Sequence, residues 1–128
     1  MTASRNASHR LIELLEKHRY CDKDKIAVID HSQQISYAEL IRSADAVAEY
    51  FQKHNMQNER VVFWLENCWE LLCLYIACFK AGVTAVPAKY VFKASKIEHI
   101  LHSTQAKLLI ADQKKLVDIE NMSVSKCI

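Results

Sequence analysis

Cysteine is the residue type in this chain best suited to hold a metal ion. Cys68, Cys73 and Cys78 are five residues apart, and on a helix that spacing turns each thiol about 140° from the last. Thiols turned apart in this way cannot converge on one ion while they lie on a helix. The pattern predicts buried structural thiols. Because the start of the chain lacks the apolar core of a secretory signal, we expect them to be reduced.

Histidine offers a second possibility for metal binding or acid–base chemistry. His99 and His102 lie three residues apart on a predicted helix, and His31 follows Asp30 in a predicted turn. A metal held by two histidines needs a further ligand, and none is close in sequence. We interpret His99 and His102 as solvent-facing, and His31 as a turn residue rather than half of a catalytic pair.

The aromatic residues suggest stacking chemistry at two places. Trp64 and Trp69 flank the start of a predicted buried helix, where packing explains them better than ligand stacking. Lys89–Lys93 interleaves aromatic and cationic residues, as in proteins that bind single-stranded nucleic acid. The net charge of +2 gives this interpretation no support, so no nucleic-acid partner is expected.

Glycine content excludes the phosphate-binding loops of nucleotide enzymes. Such loops need several glycines so that backbone N–H groups can approach the anion, and the whole chain has one. No serine lies in a nucleophile-elbow sequence either, because the flanking glycines are missing. The sequence therefore predicts no catalytic, cofactor-binding or metal-binding residue in this chain.

Helices and strands alternate from residue 60 onward. Val61–Leu65 is an apolar run typical of a strand covered on both faces, and the following helix is apolar all round from Leu71 to Phe79, which predicts burial. That helix is too short to span a bilayer. We expect Asn67 to cap this helix together with Glu70, and Gly82 to end it in the left-handed conformation. A strand at Val83–Val86 follows, and Pro87 ends it.

A further helix and strand complete the pattern. Ser95 and Glu98 predict a capping box, Ile97, Ile100 and Leu101 share one helix face, and Leu108–Ile110 is a third strand. Two βαβ units in succession imply a parallel sheet with right-handed crossovers. The predicted fold is α/β: an incomplete three-layer domain with consecutive right-handed βαβ units on a small parallel sheet, preceded by a β-hairpin and an amphipathic helix.

The upstream elements are predicted from shorter signals. Ser8 is expected to cap a first helix that ends near Arg19. Strands at Lys25–Ile29 and Gln34–Ser36 form the hairpin, and Ser36 with Glu39 opens the amphipathic helix. After Asp112, QKKLVDIE is compatible with another helix, whereas NMSVSKCI carries no end signal. Residues 1–128 are expected to form a single, partial N-terminal subdomain.

A family resemblance covers roughly Ile26 to Asp112. The run KIAVIDHSQQISYAELIRSADAVAEYFQKHNMQNERVVFWLENCWE resembles the opening of the adenylate-forming (AMP-binding) superfamily, which includes acyl-CoA synthetases, luciferases and peptide-synthetase adenylation domains. The run AGVTAVPAKYVFKASKIEHIL is similar to the segment that fatty-acid and aryl-acid CoA ligases carry here. The chain departs from the family pattern at Asn58-Glu59, where Gly-Asp is common, and at Trp69, where Pro is common. These departures leave the subfamily open.

The resemblance implies an ATP-dependent acid–thiol ligase that forms an acyl-adenylate and then a thioester with CoA or a carrier protein. ATP, Mg and CoA would serve the whole enzyme. The family's phosphate loop and catalytic lysine have no counterpart here, so this chain alone is expected to be inactive and to bind none of them. The positions that match the family pattern are interpreted as architectural: Tyr37, Glu39, Leu40, Asn67, Glu70, Ala81, Gly82 and Pro87.

Three hypotheses follow for the role of the chain. It is the N-terminal portion of an acyl-acid–CoA ligase whose partner is the remainder of that ligase. Alternatively, it is a non-catalytic interaction module, which would self-associate through an unpaired sheet edge into a homo-oligomer. The third hypothesis, a small flavodoxin-like domain, lacks a supporting motif. We expect a cytoplasmic location and no transmembrane segment.

Overall fold

The computed structural model describes residues 2–120 of the protein, with side chains from residue 10 onward. The segment NMSVSKCI, residues 121–128, in which the sequence shows no signal for the end of a helix, lies outside the described residues. Residues 2–120 contain five helices and five strands: α1 (Thr2–Cys21), β1 (Ile26–Asp30), β2 (Gln33–Ser36), α2 (Tyr37–Lys53), β3 (Arg60–Trp64), α3 (Trp69–Ala81), β4 (Thr84–Pro87), α4 (Ala94–Thr104), β5 (Leu108–Ala111) and α5 (Gln113–Glu120). They fall into two compact units, residues 2–57 with 68–83 and residues 58–67 with 84–120.

The first unit contains the hairpin and the amphipathic helix, and both predictions are confirmed. Strands β1 and β2 pair antiparallel around a turn at His31, which has a φ of 54°. The Ser36 hydroxyl accepts a hydrogen bond of 3.2 Å from the Glu39 N–H and so caps α2. The buried face of α2 comprises Leu40, Ile41, Ala44, Ala48 and Phe51.

Helix α1 is longer than predicted, because it begins at Thr2 rather than after Ser8. No proline or glycine interrupts residues 2–8, and a serine inside a helix costs little. The capping signal at Ser8 was therefore wrong. Further along α1, Leu15 packs against the buried cluster Ile35, Leu40, Ala44, Cys73 and Ile76.

Two predictions about α3 were wrong. Its N-cap is Cys68 and not Asn67, and the N–H of Trp69 donates instead to Asp30 Oδ2, 3.0 Å away at the end of β1. An acceptor distant in sequence thus replaces the local cap, and its charge also favours a helix N-terminus. Nor is the helix buried all round. Leu72 and Phe79, one heptad apart on one face, are 40% and 41% exposed.

Gly82 ends α3 in the left-handed conformation, as predicted, with φ 68° and ψ 34°. A Cβ at this position would lie 3.4 Å from Gln57 Cγ, which leaves backbone strain as the main penalty. We expect Gly82→Ala to lower the free energy of unfolding by about 1 kcal/mol. Urea denaturation followed by circular dichroism measures the change. Ala81→Gly, inside the same helix end, is the control for altered chain flexibility, and equal stability of Gly82→Ala and the parent protein would contradict the prediction.

The second unit contains the parallel sheet, in the order β4-β3-β5, which confirms the predicted topology. Side chains on both faces of the central strand β3 are buried from Val61 to Trp64, as its apolar run predicted.

The predicted cap of helix α4 at Ser95 was wrong. Helix α4 begins at Ala94, two residues earlier than that cap implies, so its N-cap is Lys93, whose side chain makes no capping bond. The predicted apolar face is confirmed, since Ile97 and Leu101 join the cluster of Val62, Trp64, Ala106, Leu109 and Ile119.

Candidate functional site

The cysteines lie where their spacing predicted, dispersed around α3. Cys73 and Cys78 are buried, as predicted, whereas the prediction of burial was wrong for Cys68, which is half-buried at the N-cap of the helix. Burial raises the pKa of the Cys73 thiol to about 11 and that of Cys78 to about 12. Within residues 2–120, no group of three or more His, Cys, Asp or Glu side chains could hold a metal ion. The two buried cysteines therefore act as apolar core residues.

The histidines lie on the surface, as predicted. His99 and His102 are exposed on α4. His31 is exposed in the hairpin turn, with Nε2 3.7 Å from Asp30 Oδ1. The other Asp30 oxygen accepts a hydrogen bond from the Trp69 N–H, so this carboxylate anchors the start of α3.

A polar and aromatic cluster lies at the carboxyl ends of the parallel strands, and we call Trp64, Tyr90, Asp112 and Lys115 the sheet-edge cluster. Trp64 ends β3, Asp112 directly follows β5, and Tyr90 lies in the segment between β4 and α4. The Trp64 Nε1–H donates to the Tyr90 carbonyl oxygen at 3.3 Å. Lys115 Nζ lies 4.8 Å from the centre of the Trp64 ring and 4.5 Å from that of Tyr90.

Asp112 links the sheet-edge cluster to helix α5. Its Oδ1 accepts a hydrogen bond of 3.0 Å from the Lys115 N–H in the first turn. A hydrogen bond from the Tyr90 hydroxyl to Asp112, together with desolvation and the nearby negative charges, raises the pKa of Tyr90 to about 12. The tyrosine therefore stays a neutral donor across the physiological range.

Open α/β sheets bind their ligands at the carboxyl ends of their strands, which makes the sheet-edge cluster the candidate site of this chain. It presents a lysine held over two aromatic rings, a neutral phenol and a carboxylate engaged at a helix start. This arrangement can orient a bound group and fix α5, but it pairs no nucleophile with a free base. It also forms no phosphate cradle, because the single glycine of the chain caps α3.

Sequence reasoning assigned no residue of the sheet-edge cluster to a site. Trp64 was interpreted as packing, which its complete burial confirms, and Tyr90 lay inside the interleaved segment Lys89–Lys93. The sequence did contain one indication of this site, since Asp112 immediately follows a predicted parallel strand. The position of Lys115 over two rings could not be predicted from the sequence, because its contacts with Trp64 and Tyr90 join residues 51 and 25 positions apart.

The first unit carries a second charged cluster, and we call Glu16, Arg19, Asp45 and Lys80 the helix clasp. Lys80 Nζ lies 2.8 Å from Glu16 Oε1, and Arg19 Nη1 lies 3.4 Å from Glu16 Oε2. Both cations also contact the Asp45 carboxylate. The helix clasp thus ties α1 to α2 and α3 through charges.

The pKa values of three groups in the helix clasp are shifted in the direction that favours their charged forms. Desolvation acts to raise the pKa of Asp45, but hydrogen bonds from Lys80 and Arg19 outweigh it and hold that pKa below its ordinary value. Desolvation likewise acts against the charged forms of Arg19 and Lys80, and their bonds to the carboxylates raise both pKa values nevertheless.

We therefore expect the free energy of unfolding to fall in acid, because Asp45 becomes protonated and its ion pairs are lost. A carboxyl group with a lowered pKa in the folded state stabilises the fold above its unfolded pKa of 3.8, and that stability is lost as the pH falls further. We expect Asp45→Asn to lower the melting temperature at neutral pH, and the difference from the parent protein to shrink as the pH falls below about 4. Thermal melts at a series of pH values measure it. A constant difference at all pH values would contradict the prediction, and Glu49→Gln, in an exposed pair, is the control.

Comparison with known proteins identifies the chain's relatives. The sequence profile of the family described as AMP-binding enzyme matches residues 15–127. Enterobactin synthase component E of Escherichia coli (strain K12) is 32% identical over 105 residues, which are 81% of this chain and 19% of that protein. N-(5-amino-5-carboxypentanoyl)-L-cysteinyl-D-valine synthase of Penicillium rubens is 25% identical over 113 residues, 88% of this chain and 3% of the synthase.

The fold has close counterparts among solved structures. A benzoate CoA ligase from Burkholderia xenovorans LB400 superposes with a TM-score of 0.80 at 19% identity, over 91% of this chain and 24% of the ligase. The chain thus spans a quarter or less of the length of each of these proteins. Within residues 2–120, every helix is too short or too polar to cross a lipid bilayer. Because the profile match extends over most of the sequence, the chain belongs to the family of AMP-binding enzymes.

Proposed function

We propose that this chain is the N-terminal part of an ATP-dependent acid–thiol ligase and that its two compact units together form one subdomain of that enzyme. The whole ligase would activate a carboxylic acid as an acyl-adenylate and then transfer the acyl group to the thiol of CoA, with Mg²⁺ stabilising charge on the phosphates. The observation that carries the proposal is the family match over residues 15–127. The fold shared with a benzoate CoA ligase supports it.

The substrate class we favour is a fatty or aromatic acid. The segment Lys89–Ile100 resembles the corresponding part of fatty-acid and aryl-acid CoA ligases more than that of amino-acid-activating domains. The relative N-(5-amino-5-carboxypentanoyl)-L-cysteinyl-D-valine synthase is named for a product built from amino acids. Amino acids are therefore the competing substrate class.

We propose that the chain alone neither binds ATP nor catalyses the reaction. Adenylate formation needs donors placed around the α-phosphate of ATP, where the carboxylate bonds and pyrophosphate leaves. The cation of the sheet-edge cluster is Lys115, whose Nζ lies over the rings of Trp64 and Tyr90. The chain's role in this proposal is architectural, since it supplies the parallel sheet onto which the reacting parts are built.

The exposed apolar face of α3 suggests where a partner binds. Leu72 and Phe79 are large side chains left substantially exposed on one helix face, and such groups mark interaction surfaces when they lie together. We propose that the remainder of the ligase covers this face. Self-association is the alternative, and sedimentation velocity over a range of concentrations distinguishes the two, because a monomer at all concentrations excludes a homo-oligomer.

The decisive experiment uses the native product. An antibody against this segment would capture the protein from its source cells, and intact mass spectrometry would give its length. Acid-dependent exchange of pyrophosphate into ATP would then be measured with benzoate, a fatty acid and an amino acid. We expect a product several times longer than this chain, with exchange activity that the isolated chain lacks. Robust exchange by the isolated chain, or a native product without it, would overturn the proposal.

A further inference from the structure

From residue 10 onward, helix α1 is attached to the first unit without a buried anchor of its own. Among its described side chains, residues 10–21, none is fully buried. Leu15 packs at the border of the apolar cluster formed by α2, α3 and β2, and the His18 ring stacks on Tyr37 with centroids 4.7 Å apart. Half-buried side chains remove less apolar area from the solvent than core residues do, so these contacts hold the helix less firmly than a buried anchor would.

A second attachment, within residues 10–21, is electrostatic and comes from the helix clasp. Glu16 and Arg19 of α1 both bind charges on other helices: Glu16 pairs with Lys80 of α3, and Arg19 pairs with Asp45 of α2. Lys80 also contacts Asp45, so it is common to both bridges. Partly exposed ion pairs of this kind weaken as salt screens them.

The cluster beneath Leu15 contains a chemical reporter. Cys73 belongs to it, and its Sγ lies 3.7 Å from the Leu40 carbonyl oxygen. Cys78 is equally buried on the same helix but does not belong to that cluster. Displacement of α1 would therefore expose Cys73 selectively, whereas unfolding would expose both thiols.

We propose that α1 is a salt-releasable strap, held across α2 and α3 by the helix clasp, whose release uncovers the apolar cluster around Cys73. Lys80 contributes most to keeping α1 bound, because its ammonium group contacts both carboxylates of the helix clasp, Glu16 and Asp45. The strap is a conformational device of the fold and does not depend on the ligase activity proposed above.

The test is site-resolved alkylation with N-ethylmaleimide, read by peptide mass spectrometry of the full chain. Lys80→Met keeps the aliphatic stem and removes the charge. We expect Cys73 to react about fivefold faster in this variant, the change that loss of a few partly exposed ion pairs gives, with Cys78 unchanged. In the parent protein, raising NaCl from about 0.1 M to about 1 M, which shortens the Debye length from about 10 Å to about 3 Å, should accelerate Cys73 in the same way.

The matched control is Lys53→Met, which breaks the exposed Glu49–Lys53 pair within α2 and should leave Cys73 unchanged. Should Lys80→Met fail to fold, Glu16→Gln removes the charge on the α1 side at nearly constant shape. Amide hydrogen exchange supplies a second readout, since residues 15–21 should exchange faster while α2 does not. An alkylation rate of Cys73 that is unchanged in the clasp variant, or one that rises together with the rate of Cys78, would contradict the proposal that α1 is a strap.

Discussion

Replacing Trp64 with alanine is expected to lower the free energy of unfolding by about 3–5 kcal/mol. The ring is fully buried at the end of the central strand, where it packs with Ile97, Leu101 and Ile119. Its removal leaves a large cavity and also takes away a donor to the Tyr90 carbonyl and a ring face beneath Lys115. Because small domains are stable by only about 5–15 kcal/mol, this substitution would remove much of the total.

Urea denaturation monitored by circular dichroism measures the loss. Trp64→Phe is the milder variant, since it keeps one aromatic ring and loses the indole N–H together with the volume of the five-membered ring, and we expect about 1–2 kcal/mol for it. Val91→Ala is the matched exposed control, because Val91 is 82% exposed on the loop that follows β4, and it should change stability by less than about 0.5 kcal/mol. A Trp64→Ala variant as stable as Val91→Ala would show that the sheet-edge cluster is not part of the core.

Elements whose signals are local could be predicted from the sequence. The Ser36 cap, the left-handed Gly82 and the buried run of β3 depend on residues within one turn or one strand, and the structure has all of them. The parallel order of the sheet followed from the alternation of helix and strand. The resemblance to the adenylate-forming family, drawn from the order and spacing of the same segments, is confirmed by the family match.

The incorrect predictions about α3 were those that tertiary contacts decide. At α3 the capping acceptor comes from Asp30, 39 residues away from Trp69, so the local Asn67 signal had no role. The apolar sequence of that helix did not predict the exposure of Leu72 and Phe79, because composition alone does not say which face the rest of the molecule leaves open. The sheet-edge cluster and the helix clasp were missed for the same reason, since their charges meet only after the chain has folded.

Cys78 provides the second large expected effect, through its chemical reactivity. Burial raises the pKa of its thiol from 9.0 to about 12, and the thiolate is the form that reacts with alkylating agents. At about pH 8 the folded protein should therefore alkylate at Cys78 about a thousandfold more slowly than the urea-unfolded chain does. Between pH 9 and pH 11 the rate in the folded protein should keep rising, where an ordinary thiol has reached its plateau.

The same shift makes stability depend on alkaline pH. A thiol with a raised pKa in the folded state stabilises the fold fully below the unfolded value of 9.0, and this stability is lost as the pH rises toward about 12. Cys78→Ala removes the titrating group, so its melting temperature should fall less steeply than that of the parent protein above pH 9. Cys21, which is exposed, is the matched control, and Cys21→Ala should leave the alkaline slope unchanged. A Cys78 that alkylates as fast in the folded as in the unfolded chain would mean that α3 opens readily, and the buried role assigned to this thiol would then be wrong.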